Sequence, residues 1–166
     1  MAAELLGKLL VVQRGDAVTA GRIVETEAYT SDDPASHSFR GITPRNAVMF
    51  GPPGHLYVYL SYGIHCCANV VTGAEGDGQA VLLRAVEPID GLDLMLARRG
   101  RLPLADGPGK LCQAFGIDGD DDGTDLCIPG PIGVLDDGAA PPSNPVVGPR
   151  VGITRGVDTP WRFRFS

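Results

Sequence analysis

The chain has 166 residues, enough for one domain with a single core and too few for a second. It carries 14 Lys and Arg against 20 Asp and Glu, a formal charge of −6 that argues against a uniformly basic coat for nucleic acid. No run of about 18 apolar residues occurs, and the N-terminal residues lack a signal-peptide pattern, so a cytoplasmic protein without a membrane partner is expected.

The acidic surplus is local. Residues 118–137 hold seven acidic groups and no basic one, which reads the aspartates of segment 118–123 as a solvated loop turned away from any phosphate. Twelve of the 14 basic groups are arginine, which suits fork-like contacts to phosphate or carboxylate. The cysteines Cys66, Cys67, Cys112 and Cys127 lack paired C-x-x-C spacing and read as reduced, packed thiols, and no two-ligand helical motif points to a metal.

In chain order, residues 3–10 suggest a short helix running into a strand through Val12. Residues 21–29 read as a strand that puts Ile23, Glu25, Glu27 and Tyr29 on one face, by the period of two. Residues 30–46 form a long polar segment containing His37, and loops of such length are usually functional or disordered. Leu56, Val58 and Leu60 alternate with Tyr57, Tyr59 and Ser61, and a second alternating run follows from Ile64. This predicts a protruding hairpin with Tyr62 at its tip. Residues 79–86 are a third strand, apolar except for Arg84. Residues 90–99 predict a helix started by Asp90 and closed by Gly100, and residues 110–115 a second one. Residues 150–154 and 161–166 read as terminal strands. The sum is an α+β fold: one domain, residues 1–166, around a curved, mostly antiparallel sheet with a few short helices.

Four tyrosines, Tyr29, Tyr57, Tyr59 and Tyr62, are all that the chain contains, and they crowd two strands. Rings beside an acid suit chemistry on a flat aromatic substrate such as a nucleobase. Glu25 and Glu27 point the same way, and Arg84 is the natural basic partner. Either one carboxylate activates water or the group is a buried ion-pair tie. His37 is a stacking ring, a hydrogen-bond donor or a surface residue. Asn69 is a structural hydrogen bonder or a specificity gate. Arg40, Arg45 and Lys110 are the candidates for phosphate contact. Lys8 and Lys110 are the only lysines, and neither is near the tyrosines in sequence, which favours hydrolysis over Schiff-base chemistry.

Arg22-Ile23-Val24-Glu25-Thr26-Glu27-Ala28-Tyr29, His37-Ser38, Thr43-Pro44-Arg45-Asn46, Met49-Phe50, Leu56-Tyr57-Val58-Tyr59, Tyr62-Gly63, Asn69, Val81-Leu82-Leu83-Arg84-Ala85 and Gly107-Pro108-Gly109-Lys110-Leu111-Cys112-Gln113-Ala114 together resemble the alkyladenine DNA glycosylase family, the 3-methyladenine DNA glycosylases of mammals and many bacteria. The resemblance runs from about Leu5 to Phe165. It implies a monofunctional base-excision repair enzyme, without cofactor and working as a monomer, that flips a damaged purine out of double-stranded DNA. It implies Glu27 as general base with Arg84 holding its water. Tyr29, His37 and Tyr59 would stack on the purine, with Asn69 excluding guanine. Tyr62 would wedge into the minor groove with Met49 near it. His65 stands where many relatives carry an aromatic residue. The alternatives are a non-catalytic module for distorted DNA and a hydrolase of free nucleosides.

Overall fold

The computed structural model describes residues 1–166. Its spine is one long strand, β2 (Ala17–Tyr29). Along one edge β2 pairs with β5 (Gln79–Asp90). Along the other it pairs first with β1 (Leu9–Arg14) and then with β8 (Arg162–Arg164). The sheet extends from β5 to β4 (His65–Thr72) and β3 (Leu56–Ser61), and from β1 to β6 (Ile132–Leu135), while β7 (Val146–Gly148) pairs with β8. Every one of these pairings is antiparallel. Two helices, α1 (Leu92–Arg99) and α2 (Pro108–Phe115), pack on each other, and α2 also lies against β4 and β5. The result is the expected α+β domain, and none of its helices is long and apolar enough to cross a membrane.

The alternation of strand side chains builds two different faces. Leu56 and Val58 of β3, Ala68 and Val70 of β4, and Val81 and Leu83 of β5 join the main core with Leu111, Cys112, Ala114 and Phe115 of α2. The intervening residues Tyr57 and Tyr59, Cys67 and Asn69, and Leu82 and Arg84 line a cleft on the opposite face. Register ties these residues together, since Tyr57 is opposite Asn69, Tyr59 opposite Cys67, and Asn69 opposite Leu82. All four cysteines are unpaired thiols.

Several expectations are corrected. Residues 3–7 form turns and not a helix, because one helical turn, with the Leu5 N–H donating to the Met1 carbonyl, gives way at Gly7 (φ +89°) before β1 begins at Leu9. Ile23 does not share a face with Glu25, Glu27 and Tyr29. Between Ile23 and Thr26 the β2–β5 ladder shifts register twice, leaving Val24 without a partner on β2 and Arg84 without one on β5. One extra residue reverses the alternation, so Ile23 enters the core while Glu27 and Tyr29 turn to the other side. Helix α1 starts after Gly91 (φ +74°) and not at Asp90, whose carboxylate accepts from the Gly91 N–H. Residues 150–154 are bends, and the terminal strand is confined to β8.

The acidic segment is structural as well as solvated. Asp121 is buried and accepts from Arg14 at 2.6 Å, and Asp122 accepts from the Val58 N–H at 2.8 Å. Strand β3 is an edge of the sheet, and a buried edge amide needs an acceptor from outside the ladder.

Gly21 leaves no room for a side chain between β5 and the Phe115 ring. A β-carbon there would stand 2.7 Å from the Glu87 carbonyl oxygen and 3.1 Å from the Phe115 ring. Gly21→Ala is therefore expected to destabilise the fold by about 1–3 kcal/mol through overpacking, read as a lower urea midpoint with an unchanged slope.

Candidate active site

The cleft on the second face has a volume of about 550 Å³, within the range of about 300–1,000 Å³ usual for small-molecule sites. Its walls include the end of β2 at Tyr29, the loop Pro34 to His37, the β3–β4 hairpin, Leu82 and Arg84 of β5, and residues Val151 to Arg155. Rings dominate one side. His37 meets Tyr59 edge-on with centroids 4.4 Å apart, and Tyr57 stacks on Tyr59 at 5.7 Å. The His37 Nδ1 and the Tyr57 hydroxyl form a hydrogen bond of 3.0 Å.

His37 is set by its loop. The Asn46 amide donates to the carbonyls of His37 (2.8 Å) and Gly41 (3.1 Å), and its oxygen accepts from the Thr43 N–H, which closes the segment into a compact turn. Burial, followed by the positive charge of Arg45, holds the His37 imidazole below its usual value and neutral at neutral pH. Burial likewise raises the three phenols of the cleft, Tyr57 to about 12 and Tyr29 and Tyr59 further still, so none of them ionises. Burial raises the Cys67 thiol as well.

Behind this wall lies Glu27, which is 0 % exposed. Its Oε2 accepts from the Tyr29 hydroxyl at 2.9 Å and its Oε1 from the Val151 N–H at 2.8 Å, while Arg84 Nη1 stands 3.5 Å from Oε1. Arg84 Nε is 3.3 Å from Glu25 Oε1, and this buried Nε has no hydrogen-bond partner. Tyr29, Arg84 and Val151 all line the cleft, whereas Glu27 sits one layer beneath them. Glu25 is bound outward as well, with Arg162 Nη1 3.6 Å from its Oε1.

The remaining residues singled out from sequence are placed as follows. Asn69 is buried in the cleft wall and donates to the Tyr57 carbonyl at 3.1 Å. Tyr62 is 88 % exposed at the hairpin tip, in the left-handed conformation (φ +51°) beside Gly63 (φ +67°). Met49 lines the same cleft as Tyr62 but is buried in its wall. It is 3 % exposed and packs with Tyr57, Val71 and Ala80, because this small apolar cluster is what supports the rings from behind. Arg45 lines the cleft mouth and donates to the Leu60 carbonyl. Arg40 is exposed on the His37 loop, away from the cleft lining. Lys110 pairs with Asp106 at 2.8 Å on the first turn of α2 and is outside the lining too.

Sequence reasoning missed the C-terminal wall, residues Val151 to Arg155, and with it the backbone donor to Glu27. These residues carry no periodic pattern and join the site through a contact 124 positions away in the chain. It also missed Arg150 and Asp33, a buried ion pair. Arg155, at the cleft mouth, was likewise unmarked.

Comparison with known proteins places the chain in one family. The sequence profile described as methylpurine-DNA glycosylase matches residues 1–166. Proteins named "Putative 3-methyladenine DNA glycosylase" are similar along nearly the whole chain. That of Methanoculleus marisnigri is 58 % identical over 98 % of this chain and 87 % of its own length. That of Burkholderia lata is 51 % identical over 98 % of this chain and 80 % of its own. That of Agrobacterium fabrum is 58 % identical over 86 % of this chain and 72 % of its own. A ring-lined cleft backed by a buried acid, in a chain matched from end to end, thus belongs to the methylpurine-DNA glycosylase family of DNA-repair enzymes.

Proposed function

We propose that this protein flips an alkylated purine, 3-methyladenine and its like, out of duplex DNA and hydrolyses the N-glycosidic bond with a water that Glu27 activates. The observation that carries this reading is a fully buried carboxylate joined to three groups, Tyr29, Arg84 and Val151, that all face a ring-walled cleft. A carboxylate offers about four lone-pair sites. Those left after Tyr29 and Val151 suit a water that Arg84, whose Nη1 stands beside Glu27, also holds. The water oxygen bonds to C1′ as the C1′–N bond breaks, Glu27 takes the proton, and the electron pair leaves with the base. A purine that carries a positive charge leaves as a neutral molecule and needs no acid.

The walls fit that substrate class. Neutral phenols and a neutral imidazole offer electron-rich rings to a cationic base. Tyr62 takes the role of wedge at the vacated position. A tyrosine that is exposed and also held at positive φ costs the fold stability without a packing return. The reaction stops at hydrolysis, because both lysine amines are engaged away from the cleft, Lys8 with Asp136 and Lys110 with Asp106.

Glu27→Gln is expected to keep its affinity for lesion-bearing duplex and to lose release of 3-methyladenine from methylated DNA by about 10²–10⁴-fold. Undiminished release would discard Glu27 as the base, and equal release from free nucleosides would discard duplex DNA as the substrate. For Tyr62→Asn, a residue that tolerates positive φ, the fold is expected to gain up to about 1 kcal/mol while affinity for an abasic-site analogue falls. An unchanged affinity would remove the wedge.

His37 sets a pH dependence of stability. Its folded pKa lies below the unfolded value of about 6.5. The unfolded chain therefore binds a proton that folded His37 refuses, and stability falls as the pH drops through about 6.5 toward the folded midpoint. An NMR titration is expected to place His37 below 6.5, and His37→Gln to flatten this part of the stability profile.

A further inference from the structure

Arg150 is buried with Asp33, with side-chain exposures of 0 % and 2 %. Its Nη1 and Nη2 both donate to the Asp33 carboxylate, Nη2 at 3.0 Å, in a bidentate pair. Nη1 also donates to the Ala28 carbonyl at 3.0 Å, and Nη2 to the Gly156 carbonyl at 3.3 Å. The guanidinium lies between two rings, 4.6 Å from the Tyr29 centroid and 5.3 Å from that of Trp161. One side chain thereby touches three walls of the cleft: the end of β2 beneath Tyr29, the loop that leads through Pro34 to His37, and the C-terminal segment. The next residue is Val151, whose N–H reaches Glu27. Gly156 completes the arrangement, since a β-carbon there would stand 2.9 Å from Asp33 Oδ1 and 3.0 Å from Arg150 Nη2.

We propose that Arg150, oriented by Asp33, is the positioning residue of this active site: it sets the plane of the Tyr29 ring and holds the Val151 N–H on Glu27. This assignment rests on Glu27 being the base. Arg150 itself does not line the cleft and touches no reacting atom. Its contribution is geometric, because Glu27 needs the Tyr29 hydroxyl and the Val151 N–H in place to present the remaining lone pairs to water. A misplacement of about 1 Å in such a site costs about 10²-fold in rate. Lysine cannot replace it, since an ammonium has neither the fork for Asp33 nor the flat face for two rings.

The test uses Arg150→Met, Arg150→Lys and Asp33→Asn in the full chain. Amide hydrogen exchange is expected to speed up at Val151 by about tenfold or more in Arg150→Met, while amides of β3 and β4 stay as protected as before. Single-turnover release of 3-methyladenine is expected to fall by about 10²-fold, with affinity for an abasic-site duplex within about threefold. Arg150→Lys is expected to recover thermal stability and not the rate. Asp33→Asn, which keeps its shape and one acceptor, gives the same readouts at smaller size if Arg150→Met does not fold.

Unchanged exchange at Val151 overturns the proposal whatever the activity, and that measurement stands even for a protein that released no methylpurine. A rate loss matched by an equal loss of folded protein, or full rescue by lysine, overturns it too. Failure of the wild-type protein to release 3-methyladenine, with exchange at Val151 still dependent on Arg150, would instead strike the reading of the reaction and leave the clamp in place.

Discussion

A charged carboxylate without solvent contact is the constraint on which this structure turns. Taking such a group out of water costs several kcal/mol unless donors and opposite charge replace the lost hydration. Glu27 receives a phenol from its own strand, a main-chain N–H from the far end of the chain, and a guanidinium from the neighbouring strand. Each donor belongs to a different wall of the cleft. Removing any wall would leave the acid underserved, so satisfying Glu27 and closing the cleft are one event in folding.

The sheet makes this possible through a local break in its regularity. Without the double register shift between Ile23 and Thr26, the alternation of β2 would carry Glu27 to the same face as Ile23 and into the apolar core. The shift frees Arg84 from the ladder at the same place and turns it toward both glutamates. It also coincides with the point where the second edge of β2 changes partner, from β1 to β8. The bulge, the change of partner and the acid are thus features of one short stretch, as expected where a strand must re-aim a side chain.

Much of this was legible in the sequence because period-two alternation is local. It marked the hairpin from Leu56, the apolar strand around Arg84 and the shared direction of Glu25 and Glu27, and it placed α1 and α2 to within two residues at their starts, although the helix expected over residues 3–10 is absent. It misread Ile23, because a bulge leaves no trace in hydrophobic pattern. It gave no sign that Met49 packs with Tyr57, Val71 and Ala80, because nothing local shows that the rings need an apolar backing. Arg150 and Asp33 lie 117 positions apart in polar segments without periodicity, and only the folded chain shows them as partners. The aspartates of segment 118–123 were taken for solvent-facing charge, since the unpaired N–H of an edge strand is invisible until the sheet order is known.

The net charge of −6 also acquires a different meaning in three dimensions. No aspartate or glutamate lines the cleft, whereas Arg45, Arg84 and Arg155 do. Many of the acids that set the total are engaged elsewhere: Asp121 with Arg14, Asp136 with Lys8, Asp137 with Arg22, and Asp106 with Lys110. The exposed ones contribute little to stability, but all of these pairs cancel charge where it stands and leave Arg45 and Arg155 at the cleft without a paired acid. A polyanion approaching that mouth meets a positive rim on an acidic molecule, so the field selects a place on the surface and not merely a partner. Tyr62 projects from the hairpin whose Leu60 carbonyl is held by Arg45, which puts the charged contact and the exposed ring on one rigid unit.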